Sequence, residues 1–280
     1  MSTLAEVVSI PAPAVRRPGV RRAVATLAQR RFALTARTPR ELVVPLTTPI
    51  LFALVIAPAL KTALHTSSAY ESYVAIGTVG LLVPLNTMFL GIGSIVDRNS
   101  GARRELLAAP VPRGLLVLGN IPVALATTWL QVVVLIAFAR LRGIHFDPAG
   151  AGILWFGAGV ALLTIAFTGI AETLASRVPH QEEYIARLPA VAIAPWFLAG
   201  SLFPISAMPI GLTWIARFLP LTHALALMRY GLLNDPSGLH AIWRMNSATG
   251  AALLSLTVLT AFALLLVRVA VQVFSRSATG

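Results

Sequence analysis

Six long uncharged stretches constrain the fold of this chain more than any other feature. Successive Asp, Glu, Lys and Arg residues leave gaps of 19, 25, 26, 24, 29 and 23 residues, namely Leu42–Leu60, Ser72–Val96, Gly114–Ala139, Pro148–Ala171, Leu188–Ala216 and Met245–Val267. A helix needs roughly 20 residues to cross a hydrocarbon core about 30 Å thick, and a membrane strand would show alternating polarity, which none of these stretches does. The pattern predicts an all-α membrane protein with six transmembrane helices.

The arginines predict the orientation of these helices. Sixteen of the 22 basic residues fall on the side of the membrane that carries the N-terminus, and six fall on the other. By the positive-inside rule, both termini of this multi-pass cell-membrane protein are expected in the cytoplasm. The net charge of +12 is then mostly a topology signal. No nucleic-acid partner is expected, because no segment outside the spans is large enough for a basic, aromatic-bearing surface.

The region before the first span has two parts. Residues 1–19 carry three prolines and are predicted to be a disordered cytoplasmic leader. Residues 20–38 place Val20, Val24, Leu27 and Leu34 near one face, which predicts a basic amphipathic helix in the lipid interface. Its role is either attachment to anionic lipid or contact with a partner subunit. Residues 39–280 then form the six-span domain. The first span is not a signal peptide, because it lies about forty residues into the chain.

One compact polar segment separates the second and third spans and runs DRNSGARRELLAAPVPR over Asp97–Arg113. Asp97 is expected to be the N-cap of a short helix whose interior contains Arg103 and Leu107, and Pro110 is expected to end this helix. Two interpretations remain open on these residues alone. The segment is either a solvated tether or a helix whose apolar stripe rests on a neighbouring protein surface.

The chain after the fifth span is broken by prolines. The fifth uncharged stretch contains Pro204 and Pro209, and backbone broken at membrane depth must be buried in protein or line a cavity. We expect the span to end near Phe203 and short re-entrant helices to follow over residues 204–232. Arg217 and Arg229 would then reach the lipid headgroups. The alternative is an outer loop with a packing role.

Polar residues inside the spans suggest where a translocation path could run. Buried polar groups in lipid must find partners, so such faces are expected to point inward. They serve either as path residues or as contacts between helices. The candidates are Asn86, Thr87, Thr127, Gln131, Thr164 and Thr168. A mostly apolar path of this kind suits an amphipathic or lipid-like cargo.

The sequence contains no recognisable motif for ATP hydrolysis, metal binding or proton coupling. A P-loop requires Lys in G-x-x-x-x-G-K-[ST], and the only lysine is Lys61. The histidines show no metal-ligand spacing, so no metal site is expected. The carboxylates fall at span ends or in loops rather than at mid-membrane, where proton-coupled carriers place them. Glu172 is expected at the interface or paired with Arg177.

Three blocks resemble the type-2 permease family of ATP-binding-cassette exporters, nearest the daunorubicin-resistance and polysaccharide-export permeases. The first is Asp97–Arg113 followed by Leu118-Gly119, and Asn120 stands where such permeases commonly carry Lys. The second is Phe197–Pro209. The third is Pro220-Leu221-Thr222-His223 with Met228-Arg229. The likeness spans roughly residues 20–270.

The resemblance implies roles for residues and partners. It implies a permease subunit that carries a hydrophobic drug, lipid or glycoconjugate and pairs with a second permease chain. Two separate ATP-hydrolysing subunits would hold ATP and Mg²⁺, and this chain would bind no cofactor and catalyse no reaction. Coupling to the ATPase would fall to Asp97, Arg98, Gly101, Arg104, Glu105, Leu106, Leu107 and Pro110. The outer gate would comprise Phe203, Pro204, Pro209, Pro220, His223 and Arg229. A proton-coupled carrier or a non-transporting scaffold are the alternatives.

Overall fold

Helices make up most of the part of the chain that the structure describes. The computed structural model describes residues 19–37, 40–51, 54–55, 58–59, 62, 68–108, 111–148 and 150–277, and no β-strand occurs in these ranges. The α-helices are α1 (Val20–Arg37), α2 (Arg40–Leu51), α3 (Ser68–Asn99), α4 (Ala102–Ala108), α5 (Gly114–Leu118), α6 (Ile121–Leu141), α7 (Gly152–Arg177), α8 (Gln181–Leu188), α9 (Ala194–Leu198), α10 (Ile210–Arg217), α11 (Pro220–Leu233), α12 (Ser237–Trp243) and α13 (Ala248–Ser277).

Four of the predicted spans correspond to long apolar helices. Segments Ala69–Asn99, Gly114–Leu141, Gly152–Arg177 and Ala248–Ser277 have the length and composition to cross a membrane. They match the second, third, fourth and sixth uncharged stretches. Helices α10 and α11 meet at 82° and together have the composition of a fifth crossing segment. The first predicted span begins in α2, and much of the rest of it, like residues 1–18, lies outside the described residues.

The fifth uncharged stretch does not form one span. A continuous helix runs from α8 through a π-helix at Pro189–Ile193 into α9 and ends at Leu198, earlier than the predicted Phe203. The chain turns at Gly200, which has φ +80° and whose Cβ, if present, would lie 2.8 Å from the Ile205 side chain. Glycine adopts this left-handed backbone at no steric cost. A 3-10 turn at Ile205–Ala207 then leads to α10.

Helix α7 lies at the centre of the bundle and packs against α3, α11 and α13. Small residues allow the backbones to approach closely. A Cβ on Gly169 would lie 2.6 Å from the Leu266 carbonyl carbon in α13, and one on Gly152 would lie 2.1 Å from the Gly231 carbonyl oxygen in α11. The fold therefore depends on these glycines for contact between backbones.

Helix α1 matches the predicted interfacial helix in extent, apart from Thr38, which lies outside the described residues. The side that packs on the bundle differs from the predicted apolar face. Ala23, Ala28 and Arg31 are buried, whereas Val20 and Leu34 are exposed. The reason is that Arg31 finds polar partners inside the bundle. The more exposed apolar residues of α1 consequently face outward.

Candidate functional site

Helix α4 lies across the ends of α3 and α13, at the end of the bundle that carries most of the described arginines; we call this the arginine-rich end. Gly101 precedes α4 with φ +82°, a value that favours glycine. The helix keeps Arg104 and Glu105 exposed. Leu107 packs against the small apolar cluster of Val117, Ala270 and Phe274. The two faces of α4 are therefore distinct, one fixed to the bundle and one free for contact.

Arg103 fastens α4 to the end of α13. Its guanidinium donates to the Ser277 hydroxyl at 2.8 Å and lies 4.4 Å from the centre of the Phe274 ring. Burial lowers the pKa of Arg103 below its usual value. A cation over an aromatic face gains about 0.5–1 kcal/mol at exposed sites and more when desolvated. Arg103 therefore links α4 to the end of α13.

Asp97 does not cap α4, contrary to the sequence prediction, because α3 continues to Asn99. Its carboxylate accepts two hydrogen bonds from Arg30, at 3.0 and 3.2 Å, and lies 3.5 Å from Arg31. The hydrogen bond to Asp97 raises the pKa of Arg30. The neighbouring Arg98 donates to the carbonyl oxygens of Ala175 and Val178 at 2.8 and 2.6 Å, which occupies acceptors left free where α7 ends.

These contacts join α3 to α1 and α7 at the arginine-rich end. A direct contact of Asp97 or Arg98 with another subunit stays a prediction, as it does for the other α4 residues named above. Pro110 lies outside the described residues.

Glu172, which was expected either at the interface or paired with Arg177, is buried inside the bundle. Only 3% of its surface is exposed. It accepts hydrogen bonds from the Ser94 hydroxyl at 2.9 Å and from the Asn120 amide at 2.7 Å. Glu172 and Arg31 line one small cavity, and the Arg31 guanidinium donates to the Leu90 carbonyl oxygen. Charge at this depth requires such partners.

Glycine makes room for this cluster. A Cβ on Gly93 would lie 1.8 Å from the Arg31 guanidinium, so a larger residue at this position would require the arginine side chain to shift. Helical spacing indicates part of this cluster, because Ser94 lies seven residues after Thr87 and Asn120 lies seven residues before Thr127, which puts each on the polar face of its helix. It gave no signal that Arg31 of the interfacial helix would reach the same cavity.

The six path candidates are all buried within the single chain. Asn86 donates to the Thr127 and Thr128 hydroxyls at 3.2 and 2.8 Å, which links α3 to α6. Thr164 and Thr168 donate to carbonyl oxygens of their own helix at 2.7 Å. Thr87 also bonds within its helix, and Gln131 is buried on α6. These positions act as contacts within and between helices in this conformation, and a role in a translocation path stays a prediction.

The gate candidates surround the turn between α9 and α11 at the opposite end of the bundle. Phe203 is exposed, Pro209 precedes α10 and Pro220 is the first residue of α11. His223 is buried, with Nε2 2.9 Å from the Arg217 carbonyl oxygen and Nδ1 3.3 Å from the Ser255 hydroxyl. Of these residues, Pro204 and Arg229 line one cavity, and the role of the set as an outer gate stays a prediction.

Neither arginine of this segment reaches outward as expected. Arg217 donates to the Ala241 carbonyl oxygen at 2.9 Å. Arg229 is only 3% exposed and donates to the carbonyl oxygens of Gly200 and Ser201 at 2.9 and 3.0 Å. The turn at Gly200 presents these carbonyls to the guanidinium, which is why the side chain points into the protein beside Pro204 rather than toward lipid.

Comparison with known proteins gives this architecture its family. The sequence matches the ABC-2 type transporter family over residues 22–233. The chain belongs to this family. It is 25% identical over 175 residues to nodulation protein J of Rhizobium leguminosarum bv. viciae, which covers 60% of this chain and 64% of that protein. It is 24% identical over 214 residues to the transport permease ycf38 of Porphyra purpurea, covering 74% and 72% of the two chains.

The chain therefore spans less than two thirds of the length of the nodulation protein it matches. The match to the family includes α4, the buried Glu172 and the broken segment up to α11. Membership confirms the resemblance drawn from the sequence blocks. It establishes a multi-pass membrane protein of that family.

Proposed function

We propose that this chain is the permease subunit of an ATP-binding-cassette exporter. Separate ATP-hydrolysing subunits contact α4 and couple ATP hydrolysis to the spans through it. The observation that supports the proposal is that α4 packs on the bundle with one face and exposes the other. One face is fixed to the end of α13 through Arg103 and Leu107, while Arg104 and Glu105 are exposed. A helix that is fixed to the bundle on one side and exposed on the other can contact another subunit and transmit its movement to the spans.

The contacts between α3 and its neighbours in the bundle offer a route by which movement of α4 could reach the other helices. Gly101 connects α4 to α3, and α3 is tied to α1 through Asp97 and to α7 through Arg98. Helix α7 in turn packs along α13 and α11, the latter belonging to the broken segment at the opposite end. Rigid elements packed in this way move together, because packed cores resist continuous deformation.

The finer assignments follow from this proposal. Six spans, cytoplasmic termini, a second permease chain and two ATPase subunits holding ATP and Mg²⁺ complete the transporter. In this arrangement the arginine-rich end faces the cytoplasm and the broken segment forms re-entrant helices on the outer side. The cargo class is an amphipathic molecule such as a hydrophobic drug, lipid or glycoconjugate. Membership of the ABC-2 type transporter family and the relationship to ycf38, which is named as a transport permease, support transport as the activity.

A proton-coupled carrier is the second candidate because Glu172 is buried within a span. The position of Glu172 favours the first proposal. It lies five residues before the end of α7, or about 7.5 Å from that end at 1.5 Å rise per residue, rather than at mid-membrane. Its hydrogen bonds to Ser94 and Asn120 also tie it to structural neighbours. A non-transporting scaffold would move no cargo under either drive.

Co-purification followed by ATPase assay in lipid tests the proposal. The chain is co-expressed with a candidate ATPase subunit, and both are reconstituted in vesicles. Arg104→Ala and Glu105→Ala are expected to lower stimulated ATP turnover by about fivefold or more, the effect of losing about 1 kcal/mol, which is the loss for interface residues that contribute strongly to binding. Arg142→Ala is the matched control, because Arg142 is exposed on the opposite end.

Three results would contradict the proposal. The first is that no ATPase associates with the chain. The second is that both α4 variants behave like Arg142→Ala. The third is transport by this chain alone that collapses with the proton gradient, which would establish the carrier instead.

A further inference from the structure

An open groove with a volume of about 230 Å³ lies at the surface of the bundle between α7 and α13. Ile170 and Leu174 of α7 line one side, Leu266 and Val269 of α13 line the other, and Val191 of the π-helix also lines it. All five residues are half-buried. A single water needs about 10–15 Å³ of such space, so the groove has room for something much larger, such as part of a hydrocarbon chain.

The walls of the groove are apolar apart from two side chains of α7, Thr173 and Arg177. The Thr173 hydroxyl donates to the Gly169 carbonyl oxygen of its own helix at 2.7 Å, so it needs no further partner. Arg177, the last residue of α7, is exposed, and no carboxylate in the described part of the chain forms an ion pair with it. A groove of this kind favours an occupant with a long apolar part and a negative charge at one end.

The carboxylates closest to Arg177 in sequence do not neutralise it. Glu172, five residues earlier, bonds to polar side chains inside the bundle. Glu183 is paired within α8, and Glu182 is exposed and does not line the groove. Arg98 adds a second positive charge at the end of α7, where its guanidinium donates to backbone carbonyl oxygens. The end of α7 therefore keeps a positive charge that an anion can bind.

The depth of the groove corresponds to that of a lipid in one leaflet. Helix α7 has 26 residues and is about 39 Å long at 1.5 Å rise per residue, whereas the hydrocarbon core is about 30 Å thick. When α7 is centred in the bilayer, Arg177 lies at the level of the headgroups. Ile170, seven residues earlier, lies about 10 Å deeper, within the hydrocarbon. Basic pockets between membrane helices bind anionic headgroups, and here the charge and the apolar walls are spaced like the headgroup and acyl chain of one phospholipid.

We propose that this groove binds an anionic phospholipid of the bilayer, with an acyl chain between α7 and α13 and the phosphate beside Arg177. A lipid bound there contacts α7, α13 and the π-helix that leads from α8 to α9. The inference goes beyond the proposed function, because this lipid is a component of the bilayer rather than the cargo, and its binding does not depend on ATP hydrolysis.

Native mass spectrometry of the purified full chain in detergent tests the proposal by counting bound lipids during a titration. The probes are phosphatidylglycerol and phosphatidylcholine with the same acyl chains. The chain is expected to bind phosphatidylglycerol about fivefold or more tightly, because one arginine at an anionic headgroup contributes about 1 kcal/mol.

Arg177→Gln is expected to lose this preference for the anionic lipid. Its thermal midpoint without lipid is expected to stay unchanged, since the arginine has no ion-pair partner to lose among the described residues. Arg113→Gln is the matched control, because Arg113 is exposed at the same end of the bundle and does not line the groove. It is expected to keep the preference.

Val269→Trp tests the part of the site that holds the acyl chain. The larger side chain fills the groove, and binding of both lipids is expected to weaken about tenfold or more. Excluding two methylenes, at about 0.8 kcal/mol each, is sufficient for this effect. Leu265→Trp is the matched control, because Leu265 is exposed on α13 and lies outside the groove. It is expected to bind both lipids like the wild type.

Several results would overturn the proposal. They are absence of saturable phosphatidylglycerol binding, equal affinity for the two lipids, and variants at Arg177 or Val269 that behave like their controls. Competition by glycerol phosphate at the same concentration would show that Arg177 binds a free phosphate instead. If Val269→Trp abolishes self-association and leaves lipid binding intact, a second copy of the chain covers the groove.

Discussion

The contact between Gly91 of α3 and Tyr184 of α8 offers a sharp test of how the arginine-rich end is packed. Tyr184 is fully buried, and its hydroxyl donates to the Met88 carbonyl oxygen at 2.9 Å. Burial raises the pKa of the Tyr184 phenol, so the hydroxyl remains a donor at neutral pH. A Cβ on Gly91 would lie 2.4 Å from that hydroxyl oxygen. Gly91→Ala therefore sets a methyl group against the tyrosine.

The magnitude follows from two opposing contributions. Overpacking a tight site costs about 1–3 kcal/mol, whereas replacing glycine by alanine within a helix contributes about 1 kcal/mol of stability. Gly91→Ala should consequently destabilise the wild-type chain by up to about 2 kcal/mol. Tyr184→Phe alone loses one hydrogen bond, about 1 kcal/mol. It also removes the 2.4 Å contact and leaves the next at 3.1 Å, to the Ala171 Cβ.

The double variant is the informative one. In the Tyr184→Phe background, Gly91→Ala is expected to be neutral or stabilising, which gives a coupling energy of about 1–2 kcal/mol between the two positions. Unfolding of all four proteins in mixed micelles with increasing SDS measures this. If Gly91→Ala has the same effect in both backgrounds, the packing of α8 against α3 described above is refuted.

Two further predictions concern helix contacts in the core. Gly231→Ala should destabilise the chain by roughly 1–3 kcal/mol in the same unfolding assay, because its Cβ would lie 2.4 Å from the Gly152 carbonyl oxygen and backbone cannot easily yield. Gly211→Ala, which meets nothing within 4 Å, should be neutral or slightly stabilising, and equal losses in both would contradict this account. Asn86→Leu should lower the free energy of unfolding by about 1 kcal/mol or less. Polar contacts between membrane helices average about 0.6 kcal/mol, and the amide oxygen of Asn86 already lacks a partner among the described residues. A loss much larger than that would mean that the bond to Thr128 carries more than packing.

Much of the fold could be predicted because the bilayer imposes length and polarity on every helix that crosses it. Four spans, the short helix α4 and the break after Leu198 all follow from charge gaps and prolines. The end predicted for the fifth span, Phe203, was five residues too late, since the helix ends at Leu198 and the chain already turns at Gly200. The N-cap at Asp97 was wrong as well. Capping is a local preference, and here Arg30, a residue 67 positions away, binds the carboxylate instead.

The candidate sites divide along the same line. By itself, the sequence determined the class of protein, the family and the places where short or broken helices interrupt the spans, because these depend on composition and on local order along the chain. Only the tertiary structure decided that Glu172 and Arg229 are buried and which groups meet them. Those outcomes depend on glycines such as Gly93 that let a distant arginine enter, and on a turn that aims carbonyls at a guanidinium. Partners far apart in sequence are set by how helices pack, and no pattern within one helix encodes them.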